Sequence, residues 1–455
     1  MRGRHEVVRS TGAGLALLIA IAALAPSMPS VAAGPTAPNV LIIVTDDQRV
    51  NTFEVMPQTR RLFGELGINF TNAFATTPLC CQSRASIMTG RYAHNHGIRY
   101  FTPYELDQST TVQAYLSENG YRTGIYGKYL NNWKIVDPPP FFDDWAVFPQ
   151  STGETYVGGT WNVNGTVQPV TQYSTDFILE NAKRFVRETE AEDVSPWYMY
   201  LAPPAPHAPF VAEEQYVSAP VPAWEGNPAV SEKNLSDKPP YVRTFDRKCD
   251  LECGTAIREG QLRTLMSVDD MVGELFAELD DLLETPNTLA IFISDNGIFW
   301  GEHGLVDKKP PYLPDVRIPL FLKWPLRLLP GEDDRIAANL DIAPTILEAA
   351  GITPDNAPID GQSLLVTSDR RRLLLENWRA RGVPTWSSLV SNNYQYIESY
   401  ERWAFLEYYN LANDPYQLVN LMRDGNAATG PGVTKLRRLR RALEAAEQCA
   451  GVTCP

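Results

Sequence analysis

Two pairs of adjacent polar residues each follow a short, wholly apolar segment, and together they offer oxygen ligands to a cation. The pairs are Asp46-Asp47 and Asp295-Asn296. If they share one crevice, three carboxylates repel one another unless a hard cation neutralises them, and an all-oxygen set suits Ca²⁺ or Mg²⁺ rather than Zn²⁺. A local alternative stays open, because paired Asp residues also cap helices and Asn-Gly also forms tight turns.

Cys80 and Arg84 have a spacing that suits the binding of an oxyanion. A helix that begins near Cys80 places this side chain at the positive helix N-terminus, with Arg84 one turn later on the same face. The alternative interpretation is a buried thiol beside an ordinary helix.

The six cysteines indicate covalent bridges if the protein is exported. Adjacent residues such as Cys80 and Cys81 are poor partners for a relaxed disulfide. The remaining four form two close pairs that could each close a small loop, Cys249 with Cys253 and Cys449 with Cys454.

Histidine is scarce after the N-terminal segment, where only four remain: His94, His96, His207 and His303. His207 lies in a segment with four prolines, which restrict its backbone. A single histidine is more often structural than catalytic, but all four lie in segments next to predicted strand ends or the cysteine pair, which favours a functional site.

The elements that must position these residues alternate along the chain. Predicted buried strands span residues 39–45, 122–126, 197–201 and 288–294, and predicted helices span residues 110–118, 176–187 (capped by Ser174 or Thr175) and 262–283. This alternation predicts an α/β fold with a large, doubly wound, mostly parallel sheet flanked by helices. Ligands bind outside the carboxyl ends of the strands in such sheets, where the acidic pairs, Lys128 and His207 all fall.

The last part of the chain has a different pattern. Short alternating segments at 394–400 and 403–409 predict a small antiparallel sheet, closed by a helix with the basic run 435–441. Leu436, Leu439 and Leu443 share one face of that helix, which favours docking by leucines with solvated arginines over a polyanion site. We therefore expect a catalytic domain at residues 34–365 and a small C-terminal subdomain at residues 366–455.

The N-terminus is typical of an export signal. Arg2, Arg4 and Arg9 precede an apolar stretch at 13–25 and a small-residue cleavage site that ends at Ala33. We expect cleavage of residues 1–33 and secretion; the alternative, an uncleaved membrane anchor, is disfavoured because the stretch is short and is followed by prolines.

The formal charge of −14 excludes nucleic acid as a partner, because an acidic surface repels phosphates.

Several motifs in order resemble the sulfatases of the alkaline-phosphatase-like superfamily. The segment 80–84 followed by Thr89-Gly-Arg91 is similar to the signature whose first cysteine is oxidised to formylglycine, an aldehyde. Further resemblances lie at residues 38–48, 127–131, 206–210, 294–297, 301–304, 307–308, 341–345 and 411–415. In motif form the chain is most similar to the glucosamine-6-sulfatase and heparan endosulfatase branch.

The resemblance implies a hydrolase of sulfate monoesters that acts on a sulfated small molecule or sugar and needs a formylglycine-generating maturation enzyme. It implies one Ca²⁺ ion held by Asp46, Asp47, Asp295, Asn296 and an oxygen of modified Cys80. It also implies catalytic roles for Cys80, Arg84, Lys128, His207 and Lys308. Two alternatives remain open: a phosphate or phosphonate ester hydrolase on the same scaffold, and a catalytically silent binding protein whose Cys80 is not converted.

Three positions depart from the family pattern. Gln82 stands where proline is usual and where the maturation enzyme reads the chain, Leu130 replaces a histidine, and Leu313 replaces an acidic residue. The substitution at position 82 therefore predicts only partial conversion of Cys80 in a generic expression host.

Overall fold

The computed structural model describes residues 1, 3, 37–149, 156–244, 248–401, 404–422 and 430–455. The predicted signal peptide and its cleavage site lie outside these residues, apart from residues 1 and 3. None of the helices in the described part of the chain combines the length and apolar composition needed to cross a membrane.

The described strands form one large sheet, two small ones and a C-terminal sheet. Their bounds are β1 Asn39–Thr45, β2 Ile68–Phe70, β3 Ala73–Phe74, β4 Arg122–Lys128, β5 Asp144–Phe148, β6 Thr160–Val163, β7 Thr166–Pro169, β8 Trp197–Ala202, β9 Thr288–Ser294, β10 Phe299–Trp300, β11 Val306–Asp307, β12 Leu320–Lys323, β13 Gly331–Asp333, β14 Ala337–Ala338, β15 Leu373–Asn377, β16 Trp386–Val390, β17 Gln395–Ser399 and β18 Phe405–Tyr409. The order in the large sheet is β13-β2-β12-β9-β1-β8-β4-β5-β6-β7.

The centre of the large sheet is parallel and buried on both faces. β1 pairs in parallel with β8 and β9, and β4 pairs in parallel with β8 and β5. Every residue of β1, β8 and β9 is buried, which explains why these strands are nearly continuous apolar segments. β12 and β6 run antiparallel to their neighbours β9 and β5, so the predicted, mostly parallel α/β fold is confirmed.

Helices cover both faces of the sheet. Their bounds are α1 Pro57–Thr59, α2 Cys80–Thr89, α3 Ala93–His96, α4 Val112–Glu118, α5 Ser174–Glu190, α6 Pro240–Arg243, α7 Leu251–Asp281, α8 Leu313–Val316, α9 Ile342–Ala350 and α10 Val433–Ala446. α7 begins eleven residues earlier than the sequence predicted, because the Asp250 side chain caps it by accepting from the backbone N–H of Cys253. The predicted cap of α5 is wrong: Tyr173 is the extended residue before the helix, and Ser174 already lies in its first turn.

The C-terminal region contains the predicted antiparallel sheet, with the order β15-β16-β17-β18. α10 packs on it through buried Leu439 and Leu443 and partly buried Leu436, whereas Arg437 and Arg438 are exposed, so the predicted docking by leucines is confirmed. The two short-range cysteine pairs form the disulfides Cys249–Cys253 and Cys449–Cys454. The domain boundary at residue 365 stays a prediction.

Candidate active site

The acidic pairs meet because their strands are neighbours in register. β1 and β9 pair Thr45 with Ser294, so the residues that follow each strand lie side by side. The backbone N–H of Asp47 donates to Asp295 Oδ1 at 3.2 Å, and Asn296 Nδ2 donates to Asp47 Oδ1 at 2.6 Å. Asp46 is buried with them, so three carboxylates and an amide share one crevice.

Cys80 is the first residue of α2 and lies against these acids. Its Sγ is 3.3 Å from Asp46 Oδ1 and 4.0 Å from Asp47 Oδ1, and Lys308 Nζ donates to it at 2.7 Å. Potential metal-ligand atoms of Asp46, Asp47, Cys80 and His207 all lie within 4.8 Å of one another. The helix N-terminus therefore points Cys80 into the crevice, as the sequence predicted.

The thiol of Cys80 is held in its protonated form. Burial raises its pKa well above the ordinary range, and the charge of Asp46 raises it further, which outweighs the opposite effects of Lys128 and Lys308. A thiol is a weak nucleophile when it is protonated. An unmodified Cys80 in these surroundings is thus poorly suited to attack a substrate.

Arg84 lies one turn after Cys80 and spans the crevice. Its Nε donates to Asp295 Oδ2 at 2.8 Å, its second guanidinium nitrogen is 3.8 Å from Asp46 Oδ2, and its side chain is fully buried. Burial lowers the pKa of Arg84, but the negative charge of Asp295, together with the charges of Tyr200 and Asp46, raises it by more. The guanidinium is therefore a permanent positive charge beside Cys80.

Two lysines complete the positive field. The ammonium group of Lys128, at the end of β4, contacts Asp46, and that of Lys308, after β11, contacts Asp47. Burial by itself raises the pKa of Asp46, but Lys128, His207 and Arg84 outweigh it and lower the pKa. The pKa of Asp295 is raised instead, by burial and by repulsion from Asp46.

His207 provides the open side of the crevice. Its Nε2 lies 3.7 Å from Asp47 Oδ2, its Nδ1 is 2.6 Å from the carbonyl oxygen of Ala208, and 30% of its side chain is exposed. It is thus the member of the group that an arriving ligand can reach.

The other three histidines make contacts elsewhere. His94 bonds to Glu376, His96 bonds to Ser86, and His303 bonds to Glu232. Burial lowers the pKa of His96 to about 3, so it stays neutral. The expectation that four histidines mark one site is met by His207 alone, because proximity of segments does not fix the direction of a side chain.

The donor set fits a hard cation. Asn296 Oδ1 is buried and has no hydrogen-bond partner within the described residues, and three carboxylate groups lie beside it. A buried acceptor without a partner is rare in folded proteins, and oxygen ligands of this kind suit Ca²⁺.

Comparison with known proteins decides the family. Residues 38–352 match the family described as Sulfatase, and residues 301–441 match the one described as N-sulphoglucosamine sulphohydrolase, C-terminal. The chain belongs to the sulfatase family. This sulfatase is therefore a sulfuric ester hydrolase by family, as the motifs indicated.

The relatives of this sulfatase include enzymes with sugar substrates in their names. Human N-acetylglucosamine-6-sulfatase is 30% identical, over 93% of this chain and 87% of the human protein. The extracellular sulfatase SULF-1 homolog of Drosophila melanogaster is 32% identical over 75% of this chain, which spans only 32% of that protein. The Sulf-1 homolog of Caenorhabditis elegans is likewise 32% identical, and the chain spans about half of it, 48%.

Solved structures share the fold of this sulfatase. A protein in complex with its substrate D-glucosamine-2-N,6-O-disulfate superposes with a TM-score of 0.75 at 22% identity, over 90% of this chain and 97% of that one. Phosphonate monoester hydrolase of Agrobacterium radiobacter superposes with a TM-score of 0.71 at 20% identity, over 89% and 95%. At such identities the likeness establishes the fold, and the fold alone does not choose between sulfate and phosphonate.

Two residues that the sequence did not single out contact the crevice of this sulfatase. Ser83 donates its hydroxyl to the carbonyl oxygen of Asp295, and Gln261 donates to the carbonyl oxygen of Asp47. Ser83 lies within the signature segment and could have been noticed there. No sequence signal marks Gln261, which lies in the middle of an ordinary amphipathic helix.

Proposed function

We propose that this sulfatase hydrolyses sulfate monoesters through a formylglycine hydrate derived from Cys80. The observation that carries the proposal is the placement of Cys80. It is a protonated thiol outside any disulfide, it lies at a helix N-terminus, and it contacts Asp46, Asp47 and Lys308. The hydrated aldehyde supplies two hydroxyl groups on one carbon, so that one can attack sulfur and the other can release sulfate and regenerate the aldehyde.

Calcium is the proposed metal, with Asp46, Asp47, Asp295 and Asn296 as its protein ligands together with the modified Cys80 side chain. The partnerless Oδ1 of Asn296 and the three adjacent carboxylates support this assignment. When bound, the ion supplies positive charge that favours ionisation of the nucleophilic hydroxyl.

The remaining side chains have separate roles in charge stabilisation, sulfate binding and proton transfer. Arg84 stabilises the negative charge on the attacking hydroxyl, because it is fully buried and permanently charged. Lys128 and Lys308 hold the sulfate oxygens and the charge that develops on them. His207, which is partly exposed at the open side, gives a proton or a hydrogen bond to the leaving alcohol.

The proposed substrate is a sulfated sugar, and the proposed location is outside the cell. The glucosamine sulfates named for the related enzymes support the first, and the extracellular relatives and the N-terminal sequence pattern support the second. A formylglycine-generating enzyme is the partner needed for maturation.

Charge balance favours a sulfate monoester over a phosphate monoester. One divalent cation with Arg84, Lys128 and Lys308, set against three carboxylates and an ionised hydroxyl, leaves a single net positive charge. A sulfate monoester carries one negative charge at neutral pH, whereas a phosphate monoester carries nearly two. In a desolvated pocket such a mismatch costs several kcal/mol, which corresponds to selectivity of roughly a thousandfold.

The deciding experiment compares an activated aryl sulfate with the matching aryl phosphate and an aryl phosphonate monoester. It uses calcium-loaded enzyme near neutral pH, with conversion of Cys80 verified by peptide mass spectrometry. We expect kcat/KM for the sulfate to be higher by about a thousandfold. Equal or faster turnover of the phosphate or the phosphonate monoester favours a phosphate or phosphonate ester hydrolase on this fold. Full activity with an intact Cys80 thiol excludes the formylglycine mechanism.

A further inference from the structure

One buried amide joins two parts of the crevice that come from different strands. Gln261 lies in the middle of α7 with no exposed surface. Its Nε2 donates to the carbonyl oxygen of Asp47 at 2.9 Å and to that of Pro206 at 3.2 Å. Pro206 immediately precedes His207, so the same NH₂ group contacts the backbone of an acidic residue and the backbone of the histidine loop.

The amide is itself held in place by Trp300. The indole Nε1 donates to Gln261 Oε1 at 2.7 Å, which fixes the orientation of the amide. The backbone N–H of Trp300 donates to Glu302, and Arg49 both pairs with Glu302 at 2.8 Å and lies 4.0 Å from the indole ring centre. All of these residues are buried, so water does not compete for their hydrogen bonds.

Two glycines on α7 let the flanking segments approach closely enough for these bonds. A Cβ at Gly254 would lie 1.9 Å from the carbonyl oxygen of Trp300, and a Cβ at Gly260 would lie 2.8 Å from the Cβ of Phe210. Phe210 ends the histidine loop. The helix is thus shaped to receive both the tryptophan and the loop on either side of Gln261.

Asp47 has an uncommon backbone conformation. Its φ is 68°, a left-handed conformation that is uncommon for residues other than glycine, although aspartate adopts it more readily than most. The bond from Gln261 to its carbonyl oxygen restrains that conformation directly.

We propose that Gln261 is a positioning residue that couples the carboxylate of Asp47 to the loop carrying His207. It thereby sets calcium affinity and proton donation together. The roles of Asp47 and His207 in this inference rest on the proposed function. The position and hydrogen bonds of Gln261 are observed independently of it.

The test uses Gln261→Leu, which keeps the volume and removes both donated bonds together with the bond that Gln261 accepts from Trp300. Gln113→Leu is the matched control, because Gln113 is an equally buried glutamine on α4. Among the residues that the structure describes, its Nε2 donates only to the sulfur of Met88, at 3.8 Å. Trp300→Phe is a milder second variant, which removes the donor to Gln261 Oε1 and leaves Gln261 in place.

Three experiments are carried out on the full-length protein, and they measure four quantities. They are the calcium concentration that gives half of the maximal thermal stabilisation, the hydrogen exchange of the four loop amides (Ala205, His207, Ala208 and Phe210), and kcat and KM with an aryl sulfate. For Gln261→Leu we expect about tenfold more calcium to be needed, about tenfold faster exchange and about tenfold lower kcat, with KM changed less than about threefold. Trp300→Phe should raise the calcium requirement and the exchange rate of the loop and lower kcat, each by less than Gln261→Leu does. Gln113→Leu should leave all of these values as in the parent.

A purely structural role predicts a different result. If Gln261→Leu and Trp300→Phe lower the melting temperature but leave the calcium midpoint and the loop exchange at parent values, or if Gln113→Leu changes them equally, the inference is wrong. Exchange of the loop needs neither calcium nor converted Cys80. A parent that lacks sulfatase activity or calcium binding therefore counts against the proposed function, while the exchange result still decides the role of Gln261.

Discussion

At the scale of single residues, Asp295 contributes to both halves of the site. Its carboxylate accepts from Arg84 and from the backbone of Asp47, and it lies beside Asn296 in the proposed calcium site. Asp295→Asn keeps the shape and removes one of the three negative charges. We expect activity to fall by at least about a hundredfold, because charge stabilisation worth a few kcal/mol is lost with the metal. Calcium should no longer raise the melting temperature of this variant; an unchanged calcium shift, relative to metal-stripped parent, contradicts the assignment.

A second prediction at the scale of single residues concerns Gln82, which stands where the family usually has proline. It is the third residue of α2, and the first backbone donor within the helix is the N–H of Ser83, so a proline at position 82 removes no helical hydrogen bond. Gln82→Pro should raise the fraction of Cys80 converted to formylglycine, measured by peptide mass spectrometry, and activity should rise in proportion. The substitution also removes the hydrogen bond from the Gln82 side chain to the carbonyl oxygen of Arg99, which lowers the free energy of unfolding by about 1 kcal/mol. Unchanged conversion after this substitution shows that the residue does not limit maturation.

At the scale of elements, α10 is held by its leucines and not by its charges. Leu443 is almost fully buried against the C-terminal sheet, whereas Arg438 is exposed. Leu443→Ala should lower the free energy of unfolding by about 2–5 kcal/mol, because it removes buried methyl groups and leaves a cavity. Arg438→Gln should change it by less than about 0.5 kcal/mol. Denaturant unfolding measures both, and similar effects of the two substitutions contradict this picture of the helix.

At the scale of the whole molecule, Glu407 joins the C-terminal sheet to the segment that follows Lys308. It lies on β18, is fully buried and accepts from the hydroxyls of Tyr312 and Tyr409 at 2.8 Å and 2.6 Å. Burial raises the pKa of Glu407 to about 7, although the two tyrosine hydroxyls and nearby Lys238 oppose the shift.

This carboxyl group should make stability depend on pH. Because its pKa is higher in the folded chain than the ordinary 4.5, the stabilisation it gives is complete below about pH 4.5 and is lost as the pH rises to about 7. The loss amounts to about 3 kcal/mol. Glu407→Gln should remove this contribution, so that the variant loses less stability than the parent between about pH 5 and about pH 8 in denaturant unfolding. Parallel stability profiles for the two proteins exclude the effect.

Much of this organisation was predictable from the amino-acid sequence. The apolar segments that became β1 and β9 are continuous because both faces of these strands are buried, and the polar residues after them meet because parallel strands end at one edge of the sheet. The helix at Cys80 and the face of α10 follow from spacing alone, since residues three or four apart share a helix face. The short-range disulfides follow from closeness in the chain.

The tertiary structure alone decided which side chains face the crevice. His94 and His303 lie in segments near it yet contact Glu376 and Glu232, and Gln261 reaches it from a helix with no motif. The direction of a side chain depends on partners that are distant in the chain, which a local pattern does not contain. The early start of α7 is a different case, because its cap, Asp250, is a local signal that the sequence contains. Only the close approach of Trp300 at Gly254, which sets the face of the helix, depends on the tertiary structure.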